Sequence, residues 1–261
     1  MTDLALLSVQ DVSLAFGGVL ALDGVSFEVE QGQVVGLIGP NGAGKTTLFN
    51  VITRLYQPDR GDVLFSGQSL INQAPHRIVQ VGISRTFQNL ELMKSMTVLD
   101  NVLVGLHRQL HLNFVANGLG WPPSRRRERA AVQGARDALA YLGLEDVALA
   151  LVGGLPFGIL KRVELARALA AKPRLLLLDE PAGGLNHDQV EELRGLILGI
   201  RDDFKATVLI VEHHMGLVMA ISDLVVVLDF GRAITEGRPE VVQQDRRVIE
   251  AYLGTGDDGA S

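Results

Sequence analysis

The sequence lacks cysteine altogether, so neither disulfide bonds nor thiol chemistry can contribute to its fold or function. This absence suits a reducing compartment. Long apolar runs are also missing. A membrane-spanning helix needs about 20 consecutive apolar residues, and no run in the sequence approaches that length. The runs at 175–178 and 224–228 have the length of buried strands. Any membrane role is therefore expected to depend on a partner.

Positive charge is not in excess either. The net charge is −6, so we expect no nucleic-acid partner. The first residues, Met1–Leu4, lack the basic start of a signal peptide. What the chain does have is length and apolar content, because 261 residues with 47% hydrophobic side chains can form one large domain or two lobes with a sizeable core.

One segment fits the phosphate-loop pattern G-x-x-x-x-G-K-[ST], and it reads Gly39-Pro40-Asn41-Gly42-Ala43-Gly44-Lys45-Thr46. Glycines allow backbone N–H groups to turn around an anion. Lys45 can reach the β- and γ-phosphates, and the Thr46 hydroxyl can hold Mg²⁺. A buried strand at 33–38 precedes the loop, and a helix at 46–52 follows it, starting with Thr46 and Thr47. This context favours a nucleotide site over a plain glycine-rich turn, because the helix N-terminus adds its dipole.

Two carboxylates follow the apolar run at 175–178. Side chains at the end of a buried strand can reach the crevice where ligands bind in α/β proteins. Asp179 could bind Mg²⁺ directly or through water. Glu180 could act as the general base for an attacking water, a role worth typically about 10²–10⁴-fold in rate. The alternative is an acidic cap between strand and loop, which the upstream phosphate loop makes less favoured.

Three further side chains are candidates for the same site. Gln88 could bind Mg²⁺ or water, although a lone glutamine is more often a surface residue. His213 follows the strand at 208–211 and could contact the γ-phosphate, although a lone histidine is usually structural. Phe16 precedes Gly17 and Gly18 and could stack on adenine, although alone it would be assigned to the core.

Apolar and polar residues alternate over 5–30, which predicts antiparallel strands with turns at Gly17-Gly18 and Asp23-Gly24. Another short strand is expected within 61–67. The pattern becomes helical from about residue 75, and Thr97 with Asp100 is a candidate helix start.

The second half of the sequence alternates strands and helices. Helices are expected at 131–143, 159–171 and 187–204, and the apolar runs at 175–178, 208–211 and 224–228 suit a parallel sheet covered on both faces. Residues 107–130 are predicted to be irregular. Their arginine run at 124–129 is interpreted as a solvated helix start or as a contact for anionic lipids or an acidic partner.

The order of these motifs resembles that of the ATP-binding subunits of ABC transporters over about residues 7–253. The resemblance implies an α/β P-loop NTPase of the ABC ATPase type, whose mixed or parallel sheet core carries an antiparallel β subdomain and a helical subdomain. It implies one such domain over 1–253, with the core and β subdomain at about 1–88 and 170–253 and the helical subdomain at about 89–169. The polar tail at 254–261 is expected to be disordered.

The resemblance also implies ATP and Mg²⁺ as ligands and gives each candidate a role. Lys45, Glu180 and His213 correspond to catalytic residues, with His213 favoured over His214 as the switch histidine. Phe16 corresponds to the adenine-stacking aromatic. The Mg²⁺ ligands correspond to Thr46, Gln88 and Asp179, and Gln88 also lies at a hinge. The loop residues 39–47 complete the nucleotide-binding set.

The signature segment departs from the usual L-S-G-G-Q and reads Leu155-Pro156-Phe157-Gly158. In the family this helix start faces the nucleotide of a partner subunit. Pro156 removes the serine hydroxyl, whereas Gly158, the helix dipole and the first N–H groups remain. Asn186 also stands where many members have aspartate. A second, different ATPase subunit with an intact signature is therefore the expected partner.

The signature, the stretch Val211–Met215 and the ending Val248–Gly254 resemble those of branched-chain amino-acid importer ATPases. Importers of urea or short amides remain an alternative. The resemblance implies permease subunits as partners, a solute-binding protein acting indirectly, and a peripheral position on the cytoplasmic face of the plasma membrane. The rivals from another class are soluble ABC ATPases of chromosomes, repair or translation. They are disfavoured because the sequence shows neither a coiled-coil insertion nor a second phosphate loop.

Overall fold

The computed structural model describes residues 5–86, 90–106 and 122–253, with only the backbone for 122–128 and 253. These residues form two compact units. One comprises the described parts of Met1–Ile78 and Leu177–Ser261, and the other comprises those of Val79–Leu176. Gln88 and the segment 107–121 lie outside the described residues.

The first unit contains an antiparallel sheet with the strand order β2-β1-β4-β5. Its strands are β1 (Leu7–Phe16), β2 (Val19–Val29), β4 (Arg60–Phe65) and β5 (Gln68–Ser69). The expected turn at Gly17-Gly18 is confirmed. The turn expected at Asp23-Gly24 is wrong, because β2 continues through both residues. Irregular pairing with β1 accommodates them, and the Ser13 hydroxyl accepts a hydrogen bond from the Gly24 N–H at 2.9 Å.

A second sheet has five strands that lie wholly or mostly in this unit, in the order β10-β9-β3-β8-β7. It is built from β3 (Val34–Ile38), β7 (Leu175–Asp179), β8 (Thr207–Val211), β9 (Leu224–Asp229) and β10 (Arg232–Gly237). β3 runs parallel to both β8 and β9, whereas β10 is antiparallel to β9. Every residue of β3, β7 and β8 is buried, as expected for parallel strands covered on both faces. The parallel strands predicted from the apolar runs are confirmed for β3, β8 and β9, and the antiparallel β10 makes the sheet mixed.

The helices of this unit are α1 (Lys45–Ile52), α5 (His187–Phe204), α6 (Met215–Ile221), α7 (Pro239–Val242) and α8 (Arg246–Leu253). α6 packs closely on β3. A Cβ built on Gly36 of β3 would lie 2.5 Å from Val218 Cγ1 and 2.9 Å from Ser222 Oγ, so only glycine fits under this helix. Ile38, at the end of β3, belongs to an apolar cluster that includes Val218 and Val248. The strand that enters the phosphate loop is thus held by the core.

The turn between β9 and β10 joins the two sheets to the phosphate loop. The Gly231 N–H donates to the Ala43 carbonyl at 3.1 Å, and the Gly231 carbonyl accepts from the Asp23 N–H at 2.8 Å. The neighbouring Phe230 is 82% exposed. One peptide segment therefore holds the loop and the antiparallel sheet at once.

The second unit contains β6 (Ile83–Arg85) and the helices α2 (Val98–Leu106), α3 (Pro122–Tyr141) and α4 (Phe157–Leu169). The three helices pack against one another through buried apolar side chains such as Val102, Leu139 and Val163. α2 begins where it was predicted, since the Thr97 hydroxyl accepts from the Asp100 N–H at 3.1 Å. This is the expected capping arrangement.

Two predictions about helices are wrong. The helical stretch expected from about residue 75 is a short 3₁₀ turn at Pro75–Arg77 followed by strand β6, and the next α-helix starts at Val98. The irregular stretch expected over 107–130 is wrong in its last part, because α3 starts at Pro122. Proline is favourable in a first helical turn, where its missing N–H has no acceptor to lose.

Candidate functional site

The phosphate loop leaves the end of β3 and enters α1. A Cβ on Gly39 would collide with the Leu228 carbonyl of β9, so only glycine fits at this position. Gly42 has a φ of 80°, in the left-handed region, and a Cβ there would meet no atom within 4 Å. The loop therefore has a tightly packed base and an open face at Gly42. Asn41, Gly42 and Thr46 lie exposed on the loop, while Ala43 is buried and Thr47 is half-buried.

Lys45 is the first residue of α1 and is only 6% exposed. Its Nζ donates to the carbonyl oxygens of Gly39 at 2.7 Å and Pro40 at 2.8 Å. Burial lowers the pKa of Lys45, and the nearby charges of Glu180 and Asp179 oppose that shift. The ammonium group is thus held under the loop by backbone oxygens, in the field of both carboxylates.

Asp179 ends β7 and is 1% exposed. Glu180 follows it with a φ of 49°, a left-handed conformation that costs a non-glycine residue roughly 1–2 kcal/mol. The turn is held because the Glu180 N–H donates to the Val211 carbonyl at 2.8 Å. This turn carries the Glu180 side chain away from the strand axis, where its Oε1 lies 2.6 Å from His213 Nε2. The structure therefore brings Glu180 and His213 together.

The buried acid Glu212 was missed as a site residue. It is 3% exposed and lies between β8 and His213. Its Oε1 accepts from the Ala182 N–H at 2.5 Å, and its Oε2 accepts from the N–H groups of His213 at 2.9 Å and His214 at 3.2 Å. The sequence signal that could have identified it is its position directly after the apolar run 208–211. A carboxylate at the end of a buried strand is itself expected to be buried, and a buried charge needs hydrogen-bond partners.

The two histidines after β8 have different partners. His213 faces Glu180, whereas His214 caps α6 through its Nδ1, which accepts from the Leu217 N–H at 3.1 Å. The preference for His213 over His214 as the switch histidine stays a prediction, which the contact of His213 with Glu180 supports.

Phe16 ends β1 and is 45% exposed. Its ring contacts that of Tyr56 edge to face, with centroids 5.1 Å apart and an interplanar angle of 70°. One aromatic face is thus held at the surface of the first unit. No sequence pattern indicated that Tyr56 would contact Phe16.

In the second unit, Pro156 is the N-cap of α4 with φ −59° and ψ 150°. Phe157 follows as the first helical residue, 45% exposed, with the Lys161 ammonium 5.7 Å from its ring centroid. Leu155 has extended backbone just before this helix start, and Gly158 lies in the first turn. The N–H groups of the first turn lack intrahelical acceptors by helix geometry, as an anion site at a helix start requires.

Asn186 caps α5 in the first unit. Its side chain accepts from the Gln189 N–H at 3.0 Å, and the Gln189 side chain accepts from the Asn186 N–H at 3.0 Å. Asparagine and aspartate are about equally good N-caps. Asn186 therefore retains the capping role that an aspartate would have.

The donor set fits Mg²⁺ only together with a ligand that supplies further oxygens. Within the described ranges, no group of three or more His, Cys, Asp or Glu side chains could hold a metal by itself. Mg²⁺ typically binds through one or two protein oxygens plus phosphates and waters. Asp179 at the strand end and the hydroxyl of the exposed residue Thr46 provide such a partial set. No helix in the described part of the chain is long and apolar enough to cross a membrane.

Two family models match the sequence. The model described as "ABC transporter" matches residues 22–183, and one described as "Branched-chain amino acid ATP-binding cassette transporter" matches residues 234–258. The first match spans the phosphate loop, the signature segment and the carboxylates Asp179 and Glu180.

Similar proteins match nearly end to end. The high-affinity branched-chain amino acid transport ATP-binding protein BraF of Pseudomonas aeruginosa is 44% identical over 249 residues, which cover 95% of this chain and 98% of BraF. LivG of Escherichia coli K12, which has the same description, is 41% identical with the same coverage.

A solved structure has the same fold. The ADP conformation of an ATP-binding cassette of an ABC transporter superposes with a TM-score of 0.83 at 33% identity, covering 96% of this chain and 99% of that one. The predicted fold class is thereby confirmed. The chain belongs to the ABC transporter family and has the fold of its ATP-binding cassettes.

Proposed function

We propose that this chain binds and hydrolyses ATP to energise an importer of branched-chain amino acids. One observation carries the ATPase part, namely that Lys45, Asp179, Glu180 and His213 converge at the strand ends of one unit. The near full-length similarity to BraF and the C-terminal match at 234–258 support the solute class.

The phosphate loop binds the triphosphate in this proposal. Lys45 leaves the carbonyls of Gly39 and Pro40 and donates to the β- and γ-phosphates instead. The N–H groups around Gly42 and the start of α1 contribute further donors. Phe16 stacks on the adenine, with Tyr56 supporting its ring from the edge.

Thr46 and Asp179 hold Mg²⁺, together with Gln88 as proposed from the sequence. The ion supplies charge neutralisation on the phosphate oxygens, which is a large part of catalysis in phosphoryl transfer. Asp179 is suited to this role because it is buried at the end of β7, where its charge also acts on Lys45.

Glu180 orients and polarises the attacking water. His213 holds the Glu180 carboxylate at 2.6 Å and can turn toward the γ-phosphate. Proton transfer to a positioned carboxylate contributes typically about 10²–10⁴-fold. The left-handed turn at Glu180 aims its carboxylate into the site instead of along β7.

Two ATPase subunits pair head to tail around two ATP molecules. The first turn of α4, with Gly158, faces the nucleotide bound to the other subunit, flanked by Leu155, Pro156 and Phe157. The altered signature motivates a heterodimer, in which the partner's intact signature completes the Glu180 site. The pair drives permease subunits from the cytoplasmic face of the membrane, and a solute-binding protein acts on it indirectly.

The experiment is reconstitution of this chain with its co-encoded ATPase, permeases and solute-binding protein in vesicles. We expect ATP hydrolysis that leucine, isoleucine or valine stimulates in the presence of the binding protein. Stimulation by urea or short amides alone would overturn the solute class. An absence of ATP hydrolysis in the assembled complex would overturn the enzymatic proposal.

A further inference from the structure

Buried carboxylates are rare unless their oxygens are satisfied, and Glu212 is 3% exposed without a cationic side chain among its described partners. Three backbone N–H groups satisfy it. One belongs to Ala182 and the other two to His213 and His214. Hydrogen bonds from N–H groups to a carboxylate are roughly twice as strong as neutral ones.

These donors come from the two segments that carry the proposed catalytic pair. Ala182 lies two residues after Glu180, and His213 is the partner of Glu180 itself. The segments are far apart in sequence, since 30 residues separate Ala182 from Glu212. Glu212 is therefore a bridge between the turn after β7 and the turn after β8.

A second bond supports the same bridge from the backbone. The Glu180 N–H donates to the carbonyl of Val211, the residue before Glu212. Glu180 is thus held on both sides, through its own N–H and through Ala182. This support stabilises a turn that is intrinsically unfavourable, because Glu180 has a left-handed φ of 49°.

We propose that Glu212 is a positioning residue that fixes the distance and orientation of Glu180 relative to His213, and so sets the rate of ATP hydrolysis without contacting the nucleotide. This inference rests on the proposed ATPase function and deepens it. Its physical basis is that small misplacements of a catalytic group can reduce turnover by up to about 10²-fold.

Glu212→Gln tests the proposal with little change in size. The glutamine amide turns an NH₂ group toward at least one backbone N–H, so one side of the bridge is lost. We expect kcat to fall at least about tenfold, while KM for ATP stays within about twofold, because Lys45 and the loop are untouched. Glu191→Gln is the matched control, since Glu191 lies exposed on α5 beside Arg194, and its kcat should not change.

Glu212→Asp separates positioning from folding. Aspartate keeps the charge but is one methylene shorter, so it can reach only one of the two segments. We expect a smaller fall in kcat than for Glu212→Gln, again with KM for ATP unchanged. All rates are measured on the full chain in its assembled complex and expressed per folded molecule, with the folded fraction taken from thermal unfolding. If Glu212→Gln does not fold, Glu212→Asp decides, and a kcat within about twofold of the wild type would refute the positioning role.

The outcomes distinguish the two levels of the proposal. A wild-type complex that hydrolyses ATP, with Glu212 variants whose kcat stays within twofold, would refute the positioning role alone. A rise in KM with unchanged kcat would refute it too, because it would place Glu212 in nucleotide binding. A wild-type complex without ATP hydrolysis would refute the proposed function itself.

Discussion

Glu180 is the residue on which the proposed hydrolysis depends most directly. Replacing it by glutamine keeps the size of the side chain and removes the base. In the Glu180→Gln variant we expect ATP binding to persist, turnover to fall at least about 10²-fold, and an ATP-held pair of subunits to accumulate. Steady-state ATPase rates and size-exclusion chromatography with ATP measure these effects.

The control for this variant is Glu250→Gln, because Glu250 forms an exposed ion pair with Arg246 on α8. Its ATPase rate should equal that of the wild type. Normal turnover in Glu180→Gln would remove Glu180 from the role of general base.

The free energy of unfolding is expected to depend on pH through the ionisation of Tyr252, and the sign of this dependence can be predicted. Burial raises the pKa of Tyr252 to about 12, opposed by a hydrogen bond from the Gly39 backbone. A raised folded-state pKa contributes stability below the unfolded value near 10, and that stability is lost as the pH rises toward 12. Over this window the wild type should lose more stability than Tyr252→Phe does.

Two measurements test this expectation. Denaturant unfolding at several alkaline pH values compares the free energy of unfolding of the wild type with that of Tyr252→Phe. The phenolate absorbance of the wild type minus that of Tyr252→Phe should appear only near pH 12. A difference signal already complete near pH 10 would contradict the burial of this phenol.

At the scale of elements, the packing of α6 on β3 sets a steric limit at Gly36. In Gly36→Ala the new Cβ would lie 2.5 Å from Val218 Cγ1. Overpacking of a buried contact costs typically about 1–3 kcal/mol, so we expect the free energy of unfolding to fall by that amount. Denaturant unfolding measures it.

Gly195→Ala is the matched control in α5, where a Cβ would meet no atom within 4 Å. Alanine is the better helix former, so this variant should be more stable by about 0.5–1 kcal/mol. A Gly36→Ala variant as stable as Gly195→Ala would mean that α6 moves away without cost.

Elements with local signals could be predicted from the sequence. The phosphate loop and the apolar strands at 175–178 and 208–211 have contiguous patterns, and the fold class follows from them. Asp23-Gly24 has the composition of a turn, but its conformation is decided by pairing with β1 and by the Gly231 carbonyl. Composition cannot report such pairing.

The candidate site follows the same rule. Lys45, Asp179 and Glu180 could be proposed from the sequence because each stands within or beside a recognisable motif. Glu212 was missed because its importance depends on the Ala182 N–H, which only the folded chain brings to it. Local patterns in a single sequence do not indicate contacts between segments that are far apart in sequence.

At the scale of the whole molecule, the proposed pairing places the signature segment 155–158 against another subunit. In Pro156→Ser the helix start regains a hydroxyl, and serine is a favourable N-cap residue. If the missing hydroxyl weakens the contact with the partner's nucleotide, this variant should pair more tightly in the presence of ATP. Analytical ultracentrifugation of the full chain in the Glu180→Gln background measures the pairing.

Unchanged pairing of Pro156→Ser would mean that the N–H groups of α4 already suffice.

Co-purification from the native operon tests the same interface in another way. We expect a different ATPase subunit to accompany this chain, and recovery of the chain paired only with itself would contradict the heterodimer.

The hairpin around Gly231 limits how this protein can be engineered. The Gly231 N–H donates to the Ala43 carbonyl, and the Gly231 carbonyl accepts from the Asp23 N–H. One additional amino acid there would shift both groups out of reach, so two attachments would be lost in a single step. Although Phe230 at the tip is 82% exposed, a reporter or affinity handle grafted at this position is expected to abolish nucleotide binding.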